Sequence, residues 1–484
     1  MKTGFRRTSL IITVSQLINY AFPLLTFPLL VKTFDATLYG VWIEASTLVS
    51  LVSAFSSTGL GNALAAVVVD KDSQTAAELY SDALMAMAGL GGLLAVVMAV
   101  AAPILNNLTI RAALGVSIIQ TVAPLTLTLA FNWLCTQVFR TRQQPLRGAV
   151  FDVLLSIGKL LCVIYAVISH DLLAFAQLYV VTQILLSGAQ AVVAYQGIVL
   201  SRPRWLNIRR LVRYGANLSI VGQANWLVSF GDRLMLSIFS TSTAVAVYAA
   251  SYQLTLVLVA LGSPYLYALL PLLGERWRQN DIAGAQAAIR QSTRAILILL
   301  IPAVAGLVLT GDSLLRILAT DRFAQGGLLI GLIALGVALD VLGTNLQYIF
   351  YVQNRPQVLR NIYVSAALFN VLANVVAIPV LGLYGAGLTT LLTFLLIIGW
   401  LWRQTNMPIS SLIEISVLGR CLLACLLMAG WVGLTIKPTL PDLALSVAGG
   451  AILYGSGLLI LRVITIPKRL RFRENYNSSA GPAD

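Results

Sequence analysis

The sequence predicts an all-α polytopic membrane protein of about fourteen transmembrane helices, arranged as two six-helix lobes in parallel repeat plus two C-terminal helices. Three observations lead there: fourteen long apolar stretches, positive charge gathered on the connections of one side, and a turn sequence that recurs near the middle of each half.

Of 484 residues, 58% are hydrophobic and only 10% charged, against roughly 25% charged in soluble domains. Mean hydropathy is +0.86, which leaves no room for a soluble domain. A span needs about 20 apolar residues, because every backbone donor and acceptor must be satisfied inside the segment once water is gone. The apolar stretches run 8–31, 39–60, 81–103, 112–134, 148–168, 173–196, 214–240, 244–271, 293–311, 326–351, 361–380, 385–402, 419–436 and 443–463.

The net charge of +14 invites a nucleic-acid reading, but the basic residues follow topology. With both termini in the cytoplasm, Arg140, Arg142, Arg147, the cluster Arg202 to Arg213, Arg276, Arg278, Arg355, Arg360 and Arg403 fall inside, whereas Lys32, Arg111, Arg316, Arg322 and Lys437 fall outside. That is the positive-inside pattern, so no nucleic acid is needed. The tail from Lys468 to Arg473 serves as a topology anchor or rests on anionic headgroups. Cys135, Cys162, Cys421 and Cys425 lack the companions of a metal site and read as small packing residues. Span one is basic at its start but has no small-residue cleavage pattern, so it reads as retained.

The turn Arg142-Gln143-Gln144-Pro145-Leu146-Arg147 and the turn Arg355-Pro356-Gln357-Val358-Leu359-Arg360 both fit R-x-Q-x-L-R at an offset of 213 (355 − 142). A weaker echo pairs Tyr39 with Tyr248 at 209 (248 − 39). A near-constant offset predicts a repeat, and six spans per repeat set both halves the same way up, as in alternating-access transporters. The expected units are residues 1–200 and 201–403 as lobes, 404–463 as an accessory helix pair and 464–484 as a basic cytoplasmic tail.

Enzymes of glycan assembly need an extended outer loop or paired carboxylates. Here the longest outer connection is 312–325, no H-x-x-H or catalytic Ser/His/Asp arrangement lies in a loop, and the D-x-D at Asp70-Lys71-Asp72 falls on an inner connection, away from the outer face. The single histidine, His170, reads as a solvated turn residue. No phosphate-binding glycine loop with a following lysine occurs, and no cofactor is expected.

Charges inside spans cost a few kcal/mol and are functional candidates by default. At a rise of about 1.5 Å per residue, Lys159 and Asp340 lie near the midplane, while Asp232, Arg233 and Glu44 are shallower. Polar stripes at helical spacing join Asp152, Ser156 and Lys159; Asn225, Ser229 and Asp232; Asp340, Thr344, Gln347 and Tyr351; Asn370 and Asn374; and Ser15 and Asn19. One reading is a central cavity in which Arg233, Lys159, Asn19, Asn225, Asn370, Asn374 and Gln347 bind substrate and Asp340, Asp232 or Glu44 couples an ion. The other is that Asp232 neutralises Arg233, Glu44 snorkels outward and the amides are interhelical glue.

The stretches Leu38-Tyr39-Gly40-Val41, Thr58-Gly59-Leu60-Gly61-Asn62-Ala63-Leu64, Gly231-Asp232-Arg233-Leu234-Met235-Leu236 and Leu383-Tyr384-Gly385-Ala386-Gly387-Leu388, in this order and spacing, resemble the polysaccharide transporter branch of the multidrug/oligosaccharidyl-lipid/polysaccharide (MOP) exporter superfamily, the Wzx-type flippases. The resemblance implies an ion-gradient-driven flippase in a bacterial inner membrane. Its substrate would be an undecaprenyl-pyrophosphate-linked oligosaccharide repeat unit for O-antigen, capsule or exopolysaccharide assembly. It also implies membrane lipids, a polysaccharide polymerase and a chain-length regulator as partners. A cation-coupled drug or metabolite antiporter and a lipid II flippase are the alternatives. Span one offers only Gln16 and Asn19 where the lipid II flippases tend to carry a charged cluster.

Overall fold

A computed structural model of the chain describes residues 22–68, 72–324, 327–408 and 412–463; Asn19 and the basic tail lie outside them. The described residues form helices α1 (Phe22–Thr33), α2 (Ala36–Val68), α3 (Ser73–Val100), α4 (Ala102–Leu108), α5 (Gly115–Val122), α6 (Leu125–Thr141), α7 (Pro145–Ser169), α8 (Leu172–Ala194), α9 (Trp205–Phe239), α10 (Ser242–Arg278), α11 (Ile282–Leu318), α12 (Gly327–Val352), α13 (Pro356–Thr405), α14 (Ile415–Thr435) and α15 (Leu440–Ile460). Eleven of the described segments are long and apolar enough to cross a membrane, and the chain is a multi-pass membrane protein.

Several expected boundaries shift for local reasons. Span four is two helices, because Pro124 at the cap of α6 has no amide hydrogen with which to continue α5. The expected outer connection 312–325 is shorter than predicted: α11 continues to Leu318, and a 3-10 turn at Asp321–Phe323 follows, braced by Arg316 to Asp321 at 2.6 Å. Spans eleven and twelve are the two arms of α13. Its 50 residues would reach about 75 Å if straight, but Gly382 (φ 56°, ψ −130°) breaks it in a backbone region that side chains resist. The arms fold back in register, with Thr389 Oγ1 donating to Asn374 Oδ1 at 2.7 Å and Asn370 Nδ2 to Thr393 Oγ1 at 3.0 Å.

The recurring turn is present in the backbone, but in a different register from the six-residue match. Before α7, Gln144 N donates to Phe139 O after a positive-φ Gln143; before α13, Arg355 N donates to Phe350 O after a positive-φ Asn354. Each helix then opens on a proline, Pro145 or Pro356, 211 residues apart (356 − 145). R-x-Q-x-L-R at 213 was therefore two residues out of step, because arginines recur freely at this membrane face while the φ/ψ pattern does not.

The ends of the bundle that carry these turns are here termed the basic end. At the opposite end one hydrophobic core takes residues from both halves, including Phe34, Val41, Ile118 and Phe175 with Tyr248, Ile296 and Ile333. At the basic end the halves keep separate cores, one around Leu64, Met87 and Phe139 and one around Ile289, Phe350 and Leu401. Helices α14 and α15 pack on α11, fastened by Arg294 to Glu414 at 3.2 Å and by Tyr454 OH to Ile298 O at 2.9 Å.

The strand of chain that joins the halves is pinned to α3. Fully buried Asp82 accepts from Arg204 N and Asn207 Nδ2, both at 2.8 Å, and Ser81 Oγ donates to Ser201 O at 2.9 Å. Replacing Asp82 by Ala strands two donors, at about 1–3 kcal/mol. The expected result for Asp82→Ala is a lower Tm in detergent and faster tryptic cleavage after Arg204, with Glu78→Gln, a more exposed partner of Arg204, close to wild type.

Candidate functional site

Two polar features involve α9, one between the halves and one within the second half. The first is a cavity of about 280 Å³ at the basic end, lined by Asn62 of α2, Gly222 and Asn225 of α9, Gln347 and Tyr351 of α12, and Pro356 and Tyr363 of α13. Two expected residues meet here: Asn225 is exposed into the space, and Gln347 Nε2 donates to Tyr363 OH. Asp340, two turns earlier in the same stripe of α12, is half-buried.

The second is an ionic cluster nearer the opposite end. Asp232 is fully buried and ties three helices together. It accepts from Tyr248 OH of α10 at 2.5 Å, from Thr390 Oγ1 of α13 at 3.4 Å and from the Arg233 backbone amide at 2.7 Å. The Arg233 guanidinium reaches Asp232 Oδ1 at 3.4 Å and donates to Ser229 O at 3.0 Å. Its carbon stands 4.2 Å from the ring centroid of Tyr252, 5.0 Å from Phe230 and 6.0 Å from Tyr248, an aromatic cage for a cation. The i, i+4 pair Tyr248 and Tyr252 went unremarked in the sequence as a site, since two tyrosines at helical spacing read as core or interface belt.

Beyond this cluster the opposite end is sealed. Glu44 of α2 is not turned outward: it is buried and accepts from Ser242 Oγ at the start of α10 at 2.7 Å. Its Oε1 has no hydrogen-bond partner among the described residues. The same hydroxyl reaches Ile110 O at 3.3 Å, Thr37 meets Thr243 at 3.3 Å, and Arg111 Nη2 donates to Ile238 O at 2.8 Å. At Gly40 a Cβ would stand 2.0 Å from the Ser242 carbonyl oxygen, so α2 and α10 touch backbone to backbone.

The remaining expected residues sit apart from these two features. Lys159 lines a pocket with Asp152, Ser156, Pro23 and Thr26, between α7 and α1. Asn370 and Asn374 are fully buried: Asn370 Nδ2 donates to Thr393 of the second arm, Asn374 Nδ2 donates back to Asn370, and Asn374 Oδ1 accepts from Thr389 of the second arm. Lys159 and Asn370 each stand fourteen residues past their helix's opening proline (159 − 145 and 370 − 356). One repeat thus carries a cation where the other carries a structural amide. The four cysteines are free and buried, and the described residues hold no cluster fit for a metal ion.

Tyr248→Phe removes the short donor to Asp232 without changing ring packing. A hydrogen bond to a charged group contributes about 1.5–3 kcal/mol, so a clear drop in Tm is expected. Thr390→Val, which removes a 3.4 Å contact, should cost less; equal losses would mean that Asp232 is not the fastener of α9 to α10.

Among solved structures, the lipid II flippase MurJ in an inward closed conformation superposes with a TM-score of 0.77 at 11% identity, covering 94% of this chain and 99% of that one. A multidrug resistance MATE family transporter of the MOP superfamily, facing inward, gives 0.66 at 13% identity, covering 82% and 97%. At such identities the likeness is one of fold. The probable low-salt glycan biosynthesis flippase Agl15 of Haloferax volcanii is 22% identical over 235 residues, which span 48% of this chain and 49% of that protein, so the match covers about half of the relative's length. Residues 5–277 match the family described as polysaccharide biosynthesis protein, more than half of the sequence, and the chain belongs to that family.

Proposed function

We propose that this protein is a flippase that carries an undecaprenyl-pyrophosphate-linked oligosaccharide from the cytoplasmic to the periplasmic leaflet of a bacterial inner membrane, for assembly of O-antigen, capsule or exopolysaccharide. The observation that carries the proposal is the polar cavity between the halves at the basic end, beneath a sealed opposite end. If the basic end is cytoplasmic, as the positive-inside rule expects, the geometry is that of a loading state. Asn225, Gln347 and Tyr351 offer amide and hydroxyl partners to sugar hydroxyls, and caged Arg233 offers a cation to the pyrophosphate as the halves part.

Residues 1–200 and 201–403 act as the two rocking units in this reading, with 404–463 as a brace. Asp340, whose carboxylate takes no hydrogen bond among the described residues, and Glu44 at the seal are the groups to couple an ion gradient; Asp232 serves chiefly to hold α9. A polysaccharide polymerase and a chain-length regulator would take the product.

The test is a deletion strain complemented with wild type, Arg233→Ala, Asp340→Ala or Lys159→Ala, with lipid-linked oligosaccharide and surface glycan both quantified. Deletion should accumulate the cytoplasmic-side intermediate. Arg233→Ala and Asp340→Ala, expressed at wild-type level, should restore less than about a tenth of the surface glycan, the effect of losing one bond to a charged group. Normal surface glycan on deletion, with altered sensitivity to drugs or metabolites, would move the assignment to an antiporter.

A further inference from the structure

A large apolar groove lies on the other face of α9 from the polar cavity. Its volume is about 870 Å³, at the upper end of the roughly 300–1,000 Å³ typical of ligand sites. Both halves build it: α2 and α3 supply Phe55 and Leu90, while α9 and α13 supply Ile220, Leu227, Leu368 and Val371. Along α9 it extends from Val212 to Leu234, a rise of about 33 Å, close to the roughly 30 Å of a hydrocarbon core.

The polar atoms in its back wall are turned away from an occupant. Gln223 Nε2 donates to Ala54 O, Trp226 Nε1 to Ser50 Oγ at 2.7 Å and Ser219 Oγ to Gly215 O at 2.9 Å. At the basic end the character changes abruptly. Arg209 and Arg213, four residues apart and both exposed, continue the same face of α9 that carries Ile220, Ala224 and Leu227. Neither forms an ion pair among the described residues.

An apolar channel of bilayer length with two free guanidiniums at one mouth is complementary to an amphiphile with a phosphate at the end of one long hydrocarbon chain. We propose that the groove seats the polyisoprenoid chain of the transported lipid, with its phosphate at Arg209 and Arg213. This rests on the flippase reading above and locates the lipid half of its substrate. Trp226, in the groove wall, stacks on Phe230 with centroids 5.6 Å apart, and Phe230 rims Arg233. A bound chain therefore touches a residue one ring removed from the ionic cluster.

The experiment is photolabelling of the full-length protein, purified with phosphatidylethanolamine and phosphatidylglycerol, by a polyprenyl phosphate carrying a diazirine along its chain, followed by peptide mapping. Adducts should fall on groove segments of α2, α9 and α13. Ile220→Trp and Leu368→Trp, which fill the groove, should each cut labelling by about fivefold or more, the equivalent of a roughly 1 kcal/mol overpacking cost. Leu445→Trp, on the exposed face of α15, should leave it unchanged, and Tm values establish that each variant is folded. The double variant Arg209→Gln and Arg213→Gln should weaken labelling by the phosphate probe but not by the matching polyprenol. Strong labelling that maps elsewhere overturns the groove assignment and leaves the flippase reading standing. Groove labelling abolished by excess phosphatidylglycerol overturns it in favour of bulk phospholipid. Absence of labelling at any site counts against the flippase reading itself and takes the groove assignment with it.

Discussion

Hydrocarbon offers no hydrogen bonds, and each departure from plain apolar helix in this protein is shaped by that fact. The backbone satisfies itself by being helical. It changes direction where a special residue absorbs the break, as Gly382 does between the arms of α13. Polar side chains then become fasteners, since a buried carboxylate or amide without partners would cost several kcal/mol. Asp232 collects donors from three helices, and Asn370 and Asn374 stitch an inter-arm contact that apolar residues could have made with less register specificity. Glu44 is the contrast: it lies at the seam between the halves with one oxygen bonded across that seam and the other unpartnered among the described residues.

The fasteners are not evenly spread. At the end away from the basic turns they join a core shared by both halves, whereas at the basic end each half has its own core and a polar cavity lies between them. Packed interiors resist gradual deformation and tend to switch between discrete arrangements. A bundle built this way has a joined end and a partible end, and the polar contacts of Glu44, Ser242 and Arg111 lie at the joined one, beside the shared apolar core.

The fold was legible because the membrane writes it in long apolar runs and lopsided arginines, and both survive in a single sequence. Register was less legible. The R-x-Q-x-L-R match pointed to the right turn and missed its alignment by two residues, since what repeats is a positive-φ residue followed by proline, not an arginine spacing. Among site residues, the stripes on α9 and α12 pointed toward the inter-half space, where Asn225 and Gln347 line the cavity. The stripe on the first arm of α13 looks the same in sequence, yet its amides are consumed by the second arm. Helical spacing gives a face and not what that face meets, and so it could not separate a wet stripe from a stitched one. The groove was invisible for the same reason: apolar residues on α2, α9 and α13 are indistinguishable from lipid-facing ones until the helices are placed side by side.

Helix α9 concentrates these themes. Its start is held to the first half, through Asp82 on Arg204 and Asn207 and through Leu211 in that half's basic-end core. From Ala224 onward it is held to the second half as well, through Val228 in the other core and Asp232 on Tyr248 and Thr390, while Trp226 still donates to Ser50 of α2. If the halves rock as the proposed flippase mechanism requires, a helix anchored in both has to absorb that motion in the stretch between its anchors. That stretch, from Val212 to Gln223, contains Gly215 and Gly222 and lines both the polar cavity and the apolar groove. A ligand can shift a conformational equilibrium only by the difference in its affinity for the two states. An amphiphile seated on both faces of the deforming segment has that difference built in, because the surfaces it contacts are the ones that must change when the halves move.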